Sequence, residues 1–556
     1  MDGQLVQQIL ELLYASQTHC PELHAAAESG NTERFLNIYS GIYAEQTQLL
    51  PLIPTTENAG SKRLLPAVQS ILDTLRRIEA YYPLDRSRCL QKIEFELLPL
   101  LQEAYQAGYF FWYVAGHPER MKQYYETEKN LLGGNSYIDE AIETGHYKYD
   151  LSIFVLAYNK LEYTRQCVDS LLKNIPAGLR YELILLNHGS TDGTREYFES
   201  LHPHKQLDIA VNGGGMWAFN RIVEGEFTMQ ISNDVLILPH TIENLLSCIR
   251  SDPKIAFVVP TTPNVSNLQT IPANYNTLEE LISFAQTNNR CDPCRWEQRV
   301  RLCNPIDIRR NSVFCSSSGL CPELWYHTAD PVHWNSFPDD RISLLLRRNG
   351  YKLMLAKDAY CHHFGSVTLK DEIHQQNEQK YYLDGRREVI KAFGVDPWGI
   401  GFCYDTVFMK RIVEEQHDHV EILGINCGLG SNSLKIKEQL KEYCHNTDVN
   451  LHNITDDVSF LPDLYGVSDA ASMISSIRDF KALLQNKIYQ YIVWEAPFLT
   501  KHKFKTLLSA CLSALSSDGK LILKLTDQSS TVIKGSYPKR TELGNNWVVL
   551  KSEGTE

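Results

Sequence analysis

The sequence predicts an α/β protein in which an all-helical N-terminal domain precedes two α/β domains. Apolar residues recur at intervals of three and four up to about residue 145, which indicates amphipathic helices. From residue 149 short apolar runs alternate with helical patterns, and the same alternation begins again near Val420. A chain of 556 residues is also too long for one ordinary hydrophobic core, so several domains are expected.

Residues 1–147 are predicted to form a helical module in which each helix buries one apolar stripe. The residues that define these stripes are Leu5, Ile9, Leu12, Leu13, Val68, Ile71, Leu72, Leu75 and Ile78. This stretch holds no combination of side chains that is typical of catalysis. A role in packing or in homodimer formation is therefore expected.

The central domain is predicted at residues 148–372. Its apolar runs lie at 151–157, 181–186, 227–231 and 255–259. Because helical patterns separate such runs, they indicate β-α-β units and a mostly parallel sheet. A polar connector with helical character is expected at residues 373–415.

The C-terminal domain is predicted at residues 416–556. A strand at 421–425 leads into Asn426-Cys-Gly-Leu-Gly430 and then into a helix that ends near Leu440. Further strands are expected at 489–494 and 519–524, with a helix at about 503–515 between them. This order again predicts a Rossmann-like α/β fold.

Composition excludes some classes of partner. Lys and Arg number 54 against 67 Asp and Glu, which gives a formal charge of −13 and argues against a general nucleic-acid or anionic-lipid surface. No segment approaches the roughly 20 apolar residues of a membrane helix, and the first residues lack the basic start of a secretory signal. Since the 14 cysteines fit reduced thiols, a cytoplasmic location is expected.

Four segments of the central domain carry polar residues in a recurring order. They are Ser152-Ile-Phe-Val-Leu-Ala-Tyr-Asn159, Asn187-His-Gly-Ser-Thr-Asp-Gly-Thr194, the stretch from Asn212-Gly-Gly-Gly through Asn220 to Ser232-Asn-Asp234, and the stretch from Asp339-Asp340 to His363-Phe-Gly-Ser-Val-Thr368. Together they resemble the family 2 glycosyltransferases, which have the A-type nucleotide-sugar (GT-A) fold. The resemblance implies an inverting enzyme that moves a sugar from a nucleotide donor to a hydroxyl group.

The resemblance also implies a set of residues that bind the nucleotide-sugar. They are Ala157, Tyr158, Asn159, Glu182, Asn187, His188, Asp192, Gly213, Gly214, Asn220 and Asn233. Asp192 is expected to hold the glycine turn or the ribose region, or alternatively to cap the next helix. The resemblance implies UDP-sugars first, with dTDP- or GDP-sugars as alternatives because Asn187-His188 departs from the acid that the family uses on uracil.

Ser232-Asn-Asp234 stands where the family has its metal motif, and the resemblance makes Asp234 a ligand of Mn²⁺ or Mg²⁺. A divalent cation would stabilise the charge that develops on a departing diphosphate. His363 is the expected second ligand, although His362 could exchange roles with it.

Asp339-Asp340 resembles the family's acidic pair. An inverting transfer needs a carboxylate that deprotonates the attacking hydroxyl, and by position Asp340 is the expected base, with Asp339 orienting it or contacting the acceptor. The alternative is that the pair caps the following helix. Arg347 and Arg348, at the far end of that helix, are expected to be solvated or paired with acids.

The C-terminal domain resembles a class I methyltransferase through its glycine loop, 426–430. Gly424 replaces that family's acidic residue and Asn426 replaces its first glycine. Asn453, expected just after a second strand at 449–451, stands where an acid should hold the cofactor ribose. Binding of S-adenosylmethionine is therefore not expected. Cys291-Asp-Pro-Cys294 could begin a zinc site, but no second close cysteine pair follows and free thiols are expected.

Three functions follow from these resemblances. The first is a metal-dependent transferase acting on a glycan, lipid-linked or protein acceptor in bacterial surface glycan synthesis, with the helical module or the C-terminal domain able to hold the acceptor. The second is a bifunctional glycosyltransferase and methyltransferase. The third is an inactive carbohydrate-binding scaffold.

Overall fold

The computed structural model describes residues 3–54, 59–82, 84–114, 119–120, 134–208, 220–320, 338–365, 378–414, 418–485, 487–498, 504–537 and 540–551. The chain divides into two compact units. The first unit comprises Met1–Ile237, Pro305–Pro338 and His362–Asn377, and the second comprises Leu238–Asn304, Asp339–Cys361 and Glu378–Glu556.

The helices alternate with strands from residue 149 onward. In chain order the α-helices are α1 (Gly3–Ser29), α2 (Thr32–Leu49), α3 (Ala59–Tyr81), α4 (Arg86–Lys92), α5 (Leu98–Tyr109), α6 (Ser136–Thr144), α7 (Leu161–Lys173), α8 (Thr194–Ser200), α9 (Thr241–Arg250), α10 (Leu278–Asn288), α11 (Asn311–Phe314), α12 (Pro338–Arg348), α13 (Glu378–Phe393), α14 (Ser431–Cys444), α15 (Leu461–Tyr465), α16 (Ile477–Leu484), α17 (Phe504–Ser513) and α18 (Asp527–Ser536).

The strands belong to several sheets. In chain order they are β1 (Tyr149–Ala157), β2 (Tyr181–Asn187), β3 (Lys205–Asp208), β4 (Gly225–Ser232), β5 (Val235–Leu236), β6 (Ile255–Thr261), β7 (Trp296–Arg299), β8 (Ile306–Arg310), β9 (Lys352–Tyr360), β10 (His362–His363), β11 (Val420–Ile425), β12 (Val449–Thr455), β13 (Ala470–Met473), β14 (Tyr489–Trp494), β15 (Leu515–Lys524), β16 (Thr541–Gly544) and β17 (Trp547–Lys551).

The N-terminal helices of the first unit share one hydrophobic core. Ile9 and Leu13 of α1 and Val68, Ile71 and Leu75 of α3 all belong to this core, and none of the five side chains is exposed. The periodicity of three and four therefore identifies the buried stripe correctly. Up to Thr144 the described residues contain helices and turns without a strand, as the sequence predicts.

The sheet of the first unit has the strand order β3-β2-β1-β4-β8. β1 pairs in parallel with β2 and with β4, β2 pairs in parallel with β3, and β8 is antiparallel to β4. A separate two-stranded pairing joins β5 and β10, in which His363 lies opposite Val235. The continuous apolar runs of the sequence fit strands that are covered on both faces.

The second unit contains strands β6-β9-β7 and a seven-stranded sheet of order β13-β12-β11-β14-β15-β17-β16. The first five strands of the larger sheet are parallel and β17 is antiparallel. Numbered from β11, the order 3-2-1-4-5-7-6 reverses between β11 and β14, which makes that point the switch of a doubly wound sheet.

Two sequence predictions in this sheet need correction. β12 reaches Thr455 and is therefore longer than the apolar run that identifies it. The helix predicted at about 503–515 is α17, which ends at Ser513, and Leu515 is the first residue of β15. The prediction placed the end of the helix too late because β15 begins with an apolar residue. No helix in the described part of the chain has the length and apolar character needed to cross a membrane.

Candidate active site

The carboxyl ends of the parallel strands in the first unit meet at one edge of the sheet. Ala157 at the end of β1 pairs with Asn187 at the end of β2, and Leu156 pairs with Ser232 at the end of β4. Ligands of open α/β sheets bind at this edge. Most of the residues predicted to bind the nucleotide-sugar follow these strand ends.

Asp234 and His363 face each other at this edge. His363 Nε2 lies 3.3 Å from Asp234 Oδ2, and the two side chains are 7% and 6% exposed. The β5–β10 pairing holds them together, because Val235 pairs with His363 and the Phe364 amide donates to the Asp234 carbonyl at 3.0 Å. His362 instead packs edge-on against Phe364, with ring centroids 4.8 Å apart, so His363 is the histidine that contacts the acid.

This pair fits a divalent cation. Two neighbouring ligands of an octahedral cation with bonds of about 2.1 Å lie about 3 Å apart, close to the observed separation of 3.3 Å. No group of three or more His, Cys, Asp or Glu side chains that could hold a metal occurs among the described residues. The protein would thus supply a carboxylate oxygen and an imidazole nitrogen, and substrate phosphates and water would complete the coordination.

Asn187 is held by its neighbours at the end of β2. Its side-chain amide donates to Asp208 Oδ1 at 2.9 Å, and its oxygen accepts from the Ser190 amide at 2.9 Å. Asp208 is a buried acid that the sequence analysis missed, and Arg195 lies 3.4 Å from it. Its only signal in the sequence is its place at the end of a short strand. A carboxylate is therefore present beside Asn187, although the turn itself lacks the family's acid.

His188 is buried, and its amide donates to the carbonyl of Ala157 at 2.8 Å. This bond continues the β1–β2 pairing one residue beyond the strands, and it fixes the start of the glycine turn. Ala157 is itself buried, whereas Tyr158 is partly exposed.

Asp192 holds the backbone of two helices. Its Oδ2 accepts from the Leu161 amide at 2.8 Å, and its Oδ1 accepts from the Thr194 amide at 3.2 Å and the Thr194 hydroxyl at 2.6 Å. The residues before α7 and α8, Lys160 and Gly193, provide no side-chain cap. Both carboxylate oxygens of Asp192 therefore accept hydrogen bonds from helix N-termini, which is the arrangement of the predicted alternative, a helix cap.

Asn159 and Asn233 brace the turns at the sheet edge. Asn159 has a left-handed backbone with φ of 51°, and its side chain accepts from the Thr191 amide at 2.9 Å. Asn233 donates to the Asn159 carbonyl at 3.0 Å and to Thr164 Oγ1 at 2.9 Å. The hydrogen bonds of both side chains fix the conformation of the turns at this edge.

Three further predicted residues lie in the glycine-rich stretch after β3. Asn220 is fully buried. Gly213 and Gly214 lie outside the described residues.

The expectation that Glu182 binds the nucleotide is wrong. Glu182 lies near the start of β2, at the opposite edge of the sheet, and has no exposed surface. It accepts from Ser152 Oγ at 2.5 Å and the Glu224 amide at 2.7 Å, and Lys205 Nζ lies 2.8 Å away. Glu182 therefore joins three strands through buried hydrogen bonds and an ion pair.

The acidic pair lies in the first turn of α12 in the second unit. Asp340 is 3% exposed and forms a two-point ion pair with Arg301, with Nε–Oδ1 and Nη2–Oδ2 distances of 2.6 and 3.3 Å. Burial raises the pKa of Asp340, while the charge and hydrogen bonds of Arg301, a hydrogen bond from Trp398 and the charge of Arg347 lower it. Asp339 is only partly buried.

The two arginines at the end of α12 are paired, as expected. Arg347 Nη2 lies 2.6 Å from Asp463 Oδ1 and Arg348 Nη2 lies 2.7 Å from Asp463 Oδ2. Cys294 Sγ lies 3.2 Å from His445 Nδ1, while Cys291 is exposed.

At the carboxyl edge of the C-terminal sheet, the residue that follows β12 is Asp456. Asn453 lies inside the strand, so its predicted place after the strand is wrong. Asn426 donates to Asp456 Oδ1 at 3.0 Å, and the Asp456 amide donates back to Asn426 Oδ1 at 3.1 Å. A Cβ on Gly424 would lie 1.8 Å from Asn453 Oδ1, so Asn453 fills the space of the acid that Gly424 replaces.

Comparison with known proteins matches part of the central region. Residues 152–299 match the family model described as Glycosyl transferase family 2. The chondroitin synthase of Pasteurella multocida (strain Pm70) and the hyaluronan synthase of Pasteurella multocida are each 33% identical to this chain over 133 residues. Each match covers 23% of this chain and only 14% of the relative.

Among solved structures, the mannosyltransferase PcManGT from Pyrobaculum calidifontis in complex with GDP-Man and Mn²⁺ aligns with a TM-score of 0.30 and 14% identity, covering 48% of this chain and 71% of that chain. Residues 152–299 are thus similar to glycosyltransferase family 2.

Proposed function

We propose that this protein is a metal-dependent inverting glycosyltransferase that moves a sugar from a nucleoside-diphosphate donor to a hydroxyl of a glycan, lipid-linked or protein acceptor. One observation carries the proposal. Asp234 and His363 are held 3.3 Å apart at the carboxyl edge of the sheet, and Asp234 lies within the segment, residues 152–299, that matches the family model. The names of the two matched relatives describe the synthesis of glycans, which supports a glycan acceptor in bacterial surface glycan synthesis.

In this proposal Asp234 and His363 hold Mn²⁺ or Mg²⁺. The cation, when bound, would neutralise the charge that develops on the diphosphate leaving group. Asn159, Asp192 and Asn233 keep the edge rigid, so that the backbone of the glycine turn meets the nucleotide in one conformation. A preorganised edge lowers the cost of ordering the bound donor.

The acidic pair supplies the base in this proposal. The Arg301 ion pair engages both oxygens of Asp340, whereas Asp339 retains exposed surface. We therefore assign proton acceptance from the acceptor hydroxyl to Asp339 and its orientation to Asp340. This reverses the roles expected from the sequence, because only the structure reveals the Arg301 partner.

The metal site can be tested by release of nucleoside diphosphate from UDP-, dTDP- and GDP-sugars, with Mn²⁺, Mg²⁺ or EDTA. Asp234→Asn is expected to lower turnover by about 10³-fold, because loss of a bound cation removes several kcal/mol of transition-state stabilisation. His363→Gln is expected to raise the Mn²⁺ concentration required. Asp150→Asn is the matched control, since Asp150 pairs with Arg180 at the start of β1. Equal turnover in Asp234→Asn and Asp150→Asn would refute the metal site.

Two variants separate the roles within the acidic pair. Asp339→Asn is expected to lower kcat by about 10²- to 10⁴-fold, the range of a general base, with little effect on the KM for the donor. Asp340→Asn should lower kcat less and also lower thermal stability, because it leaves Arg301, whose side chain is 11% exposed, without its full partner. If Asp340→Asn had the larger effect on kcat while folding normally, the roles would have to be exchanged.

A further inference from the structure

The glycine loop of the C-terminal sheet is covered by the chain's own connector. The amide of Leu429 donates to the Ile400 carbonyl at 2.9 Å, and the amide of Ser431 donates to the Gly401 carbonyl at 3.1 Å. In a doubly wound sheet these are the amides that approach a bound nucleotide-type cofactor. In this chain two backbone carbonyls occupy their hydrogen-bonding positions.

The fit between loop and connector is close on both sides. A Cβ on Gly428 would lie 2.0 Å from the Ile400 carbonyl oxygen, and a Cβ on Gly401 would lie 2.0 Å from the Cys427 carbonyl oxygen. Gly401 also has a φ of +74°, which favours glycine. The backbones of the glycine loop and the connector are therefore in direct contact. A side chain at Gly428 or at Gly401 would push them apart.

The connector is fixed on both sides of this contact. Asp396 pairs with Arg386, Nε–Oδ1 2.8 Å, and accepts from the Trp398 amide at 3.0 Å. On the other side the Asp405 amide donates to Asn432 Oδ1 at 2.8 Å. Residues 396–405 are thus held between α13 and the first turn of α14.

The same connector reaches the helix that bears the acidic pair. The Arg348 guanidinium of α12 lies 5.4 Å from the centroid of the Phe393 ring, and Trp398 lies close enough to the Asp340 carboxyl to lower its pKa. Any displacement of residues 399–403 from the glycine loop would therefore be transmitted to Asp340 through only one or two residues.

We propose that the glycine loop, residues 427–430, is an internal receptor for connector residues 399–403 rather than for a diffusible cofactor, and that the seated connector positions the acidic pair of α12. The positioning role rests on the proposed function, whereas the seating does not. Trp398 and Gly401 are positioning residues on this account, and the methyltransferase-like domain serves the transferase as a support.

A pair of glycine variants in one segment provides the test. Gly401→Ala forces a Cβ into the Cys427 carbonyl, whereas at Gly394, which has a nearly identical φ of +72°, a Cβ would meet nothing within 4 Å. Gly394→Ala thus reproduces the backbone strain without the collision. In the full chain, limited chymotrypsin cleavage after Phe402 and Tyr404 should be at least about tenfold faster in Gly401→Ala than in Gly394→Ala, since cleavage follows the population of the open segment. Equal rates would overturn the seating.

Transfer kinetics then test the positioning role. Gly401→Ala should lower kcat by about tenfold to 10²-fold relative to Gly394→Ala, with the donor KM unchanged. Trp398→Phe should lower kcat without changing the donor KM, and Trp494→Phe, at an indole whose Nε1 donates to the Ala496 carbonyl at 2.9 Å, is its control. Faster cleavage with unchanged kcat would keep the seating and overturn the positioning.

A ligand experiment guards against misfolded variants. Wild-type protein is titrated with S-adenosylhomocysteine and followed by thermal unfolding. No shift is expected at millimolar ligand. A saturable shift would show that the loop accepts a cofactor and would overturn the proposal whatever the variants do. The cleavage and ligand experiments need no transferase activity, so their outcome is distinguishable from a failure of the proposed function.

Discussion

The molecule contains two carboxyl edges of parallel sheets, and the two differ in what their polar groups contact. At the edge of the first unit, the Asp234 carboxylate and the His363 imidazole lie 3.3 Å apart. At the edge of the C-terminal sheet, Asn426 and Asp456 bond each other and the loop amides bond the connector. The comparison teaches that a glycine loop after a strand is insufficient evidence for a ligand site. Whether such a loop can bind a ligand depends on which groups its backbone amides already contact.

Similar internal bonding occurs within the first edge. The side chains of Asn187, Asp192 and Asn233 all form hydrogen bonds with neighbouring protein groups. A motif that resembles a nucleotide site therefore contains residues of two kinds, and Asp234 with His363 is the pair whose geometry fits a cation.

The largest effect on folding is expected from Asp463→Asn. Asp463 is fully buried between Arg347 and Arg348, and Arg347 is 2% exposed. Replacement by the neutral amide leaves a buried guanidinium uncompensated, which costs about 3–5 kcal/mol. The measurement is the free energy of unfolding from chemical denaturation. Asp448→Asn, at an acid that is 71% exposed, should change it by less than about 1 kcal/mol. Similar losses in the two variants would mean that α12 is not anchored through Asp463.

An intermediate effect is expected from Glu495, at the end of β14 in the second edge. Burial raises its pKa from 4.5 to about 7, opposed by a hydrogen bond from Asn432. Because the folded state holds the proton more tightly than the unfolded chain, this contribution to stability is fully present below about pH 4.5 and is lost as pH rises through about 7. The loss amounts to at most about 3 kcal/mol.

Glu495→Gln should therefore flatten the dependence of unfolding free energy on pH between about pH 5 and 8. Glu542→Gln, at an acid that is 66% exposed, is the control and should retain the wild-type slope. An unchanged slope in Glu495→Gln would indicate that Glu495 is ionised in the folded protein at low pH, as it would be beside a bound cation.

The smallest effect is expected at Asp192. Asp192→Ala removes the side-chain acceptor for the first turns of both α7 and α8 and should lower the unfolding free energy by about 1–2 kcal/mol. Donor affinity should change by less than about threefold if the residue acts only as a cap. A loss of affinity much larger than the loss of stability would return Asp192 to the ribose site.

The sequence predicts the strands and buried stripes well because both depend on local periodicity. β14 coincides with the apolar run at 489–494, and the stripe from Val68 to Ile78 is buried. These features need no knowledge of which elements are neighbours in space.

What the sequence could not predict depends on distant partners. Asp340 and Arg301 are 39 positions apart, and the glycines at 401 and 428 that allow the connector to meet the glycine loop do not reveal in the sequence which two segments they bring together. Glu182 was misassigned on the resemblance alone, although the apolar run at 181–186 places it at the start of β2, away from the carboxyl edge. Asn453 was misplaced because polar residues inside β12 concealed the length of the strand.

The most direct measurement of the central claim compares ligands of the two edges in one preparation. Thermal unfolding of the full chain is followed with UDP, GDP, dTDP and CDP, each with and without Mn²⁺, and with S-adenosylhomocysteine. We expect at least one nucleotide to stabilise the protein only when Mn²⁺ is present, by about 2.7 kcal/mol at 100 times the dissociation constant. This stabilisation should be lost in Asp234→Asn. S-adenosylhomocysteine should not stabilise the protein. Stabilisation by S-adenosylhomocysteine with no response to any nucleotide would contradict the account at both edges.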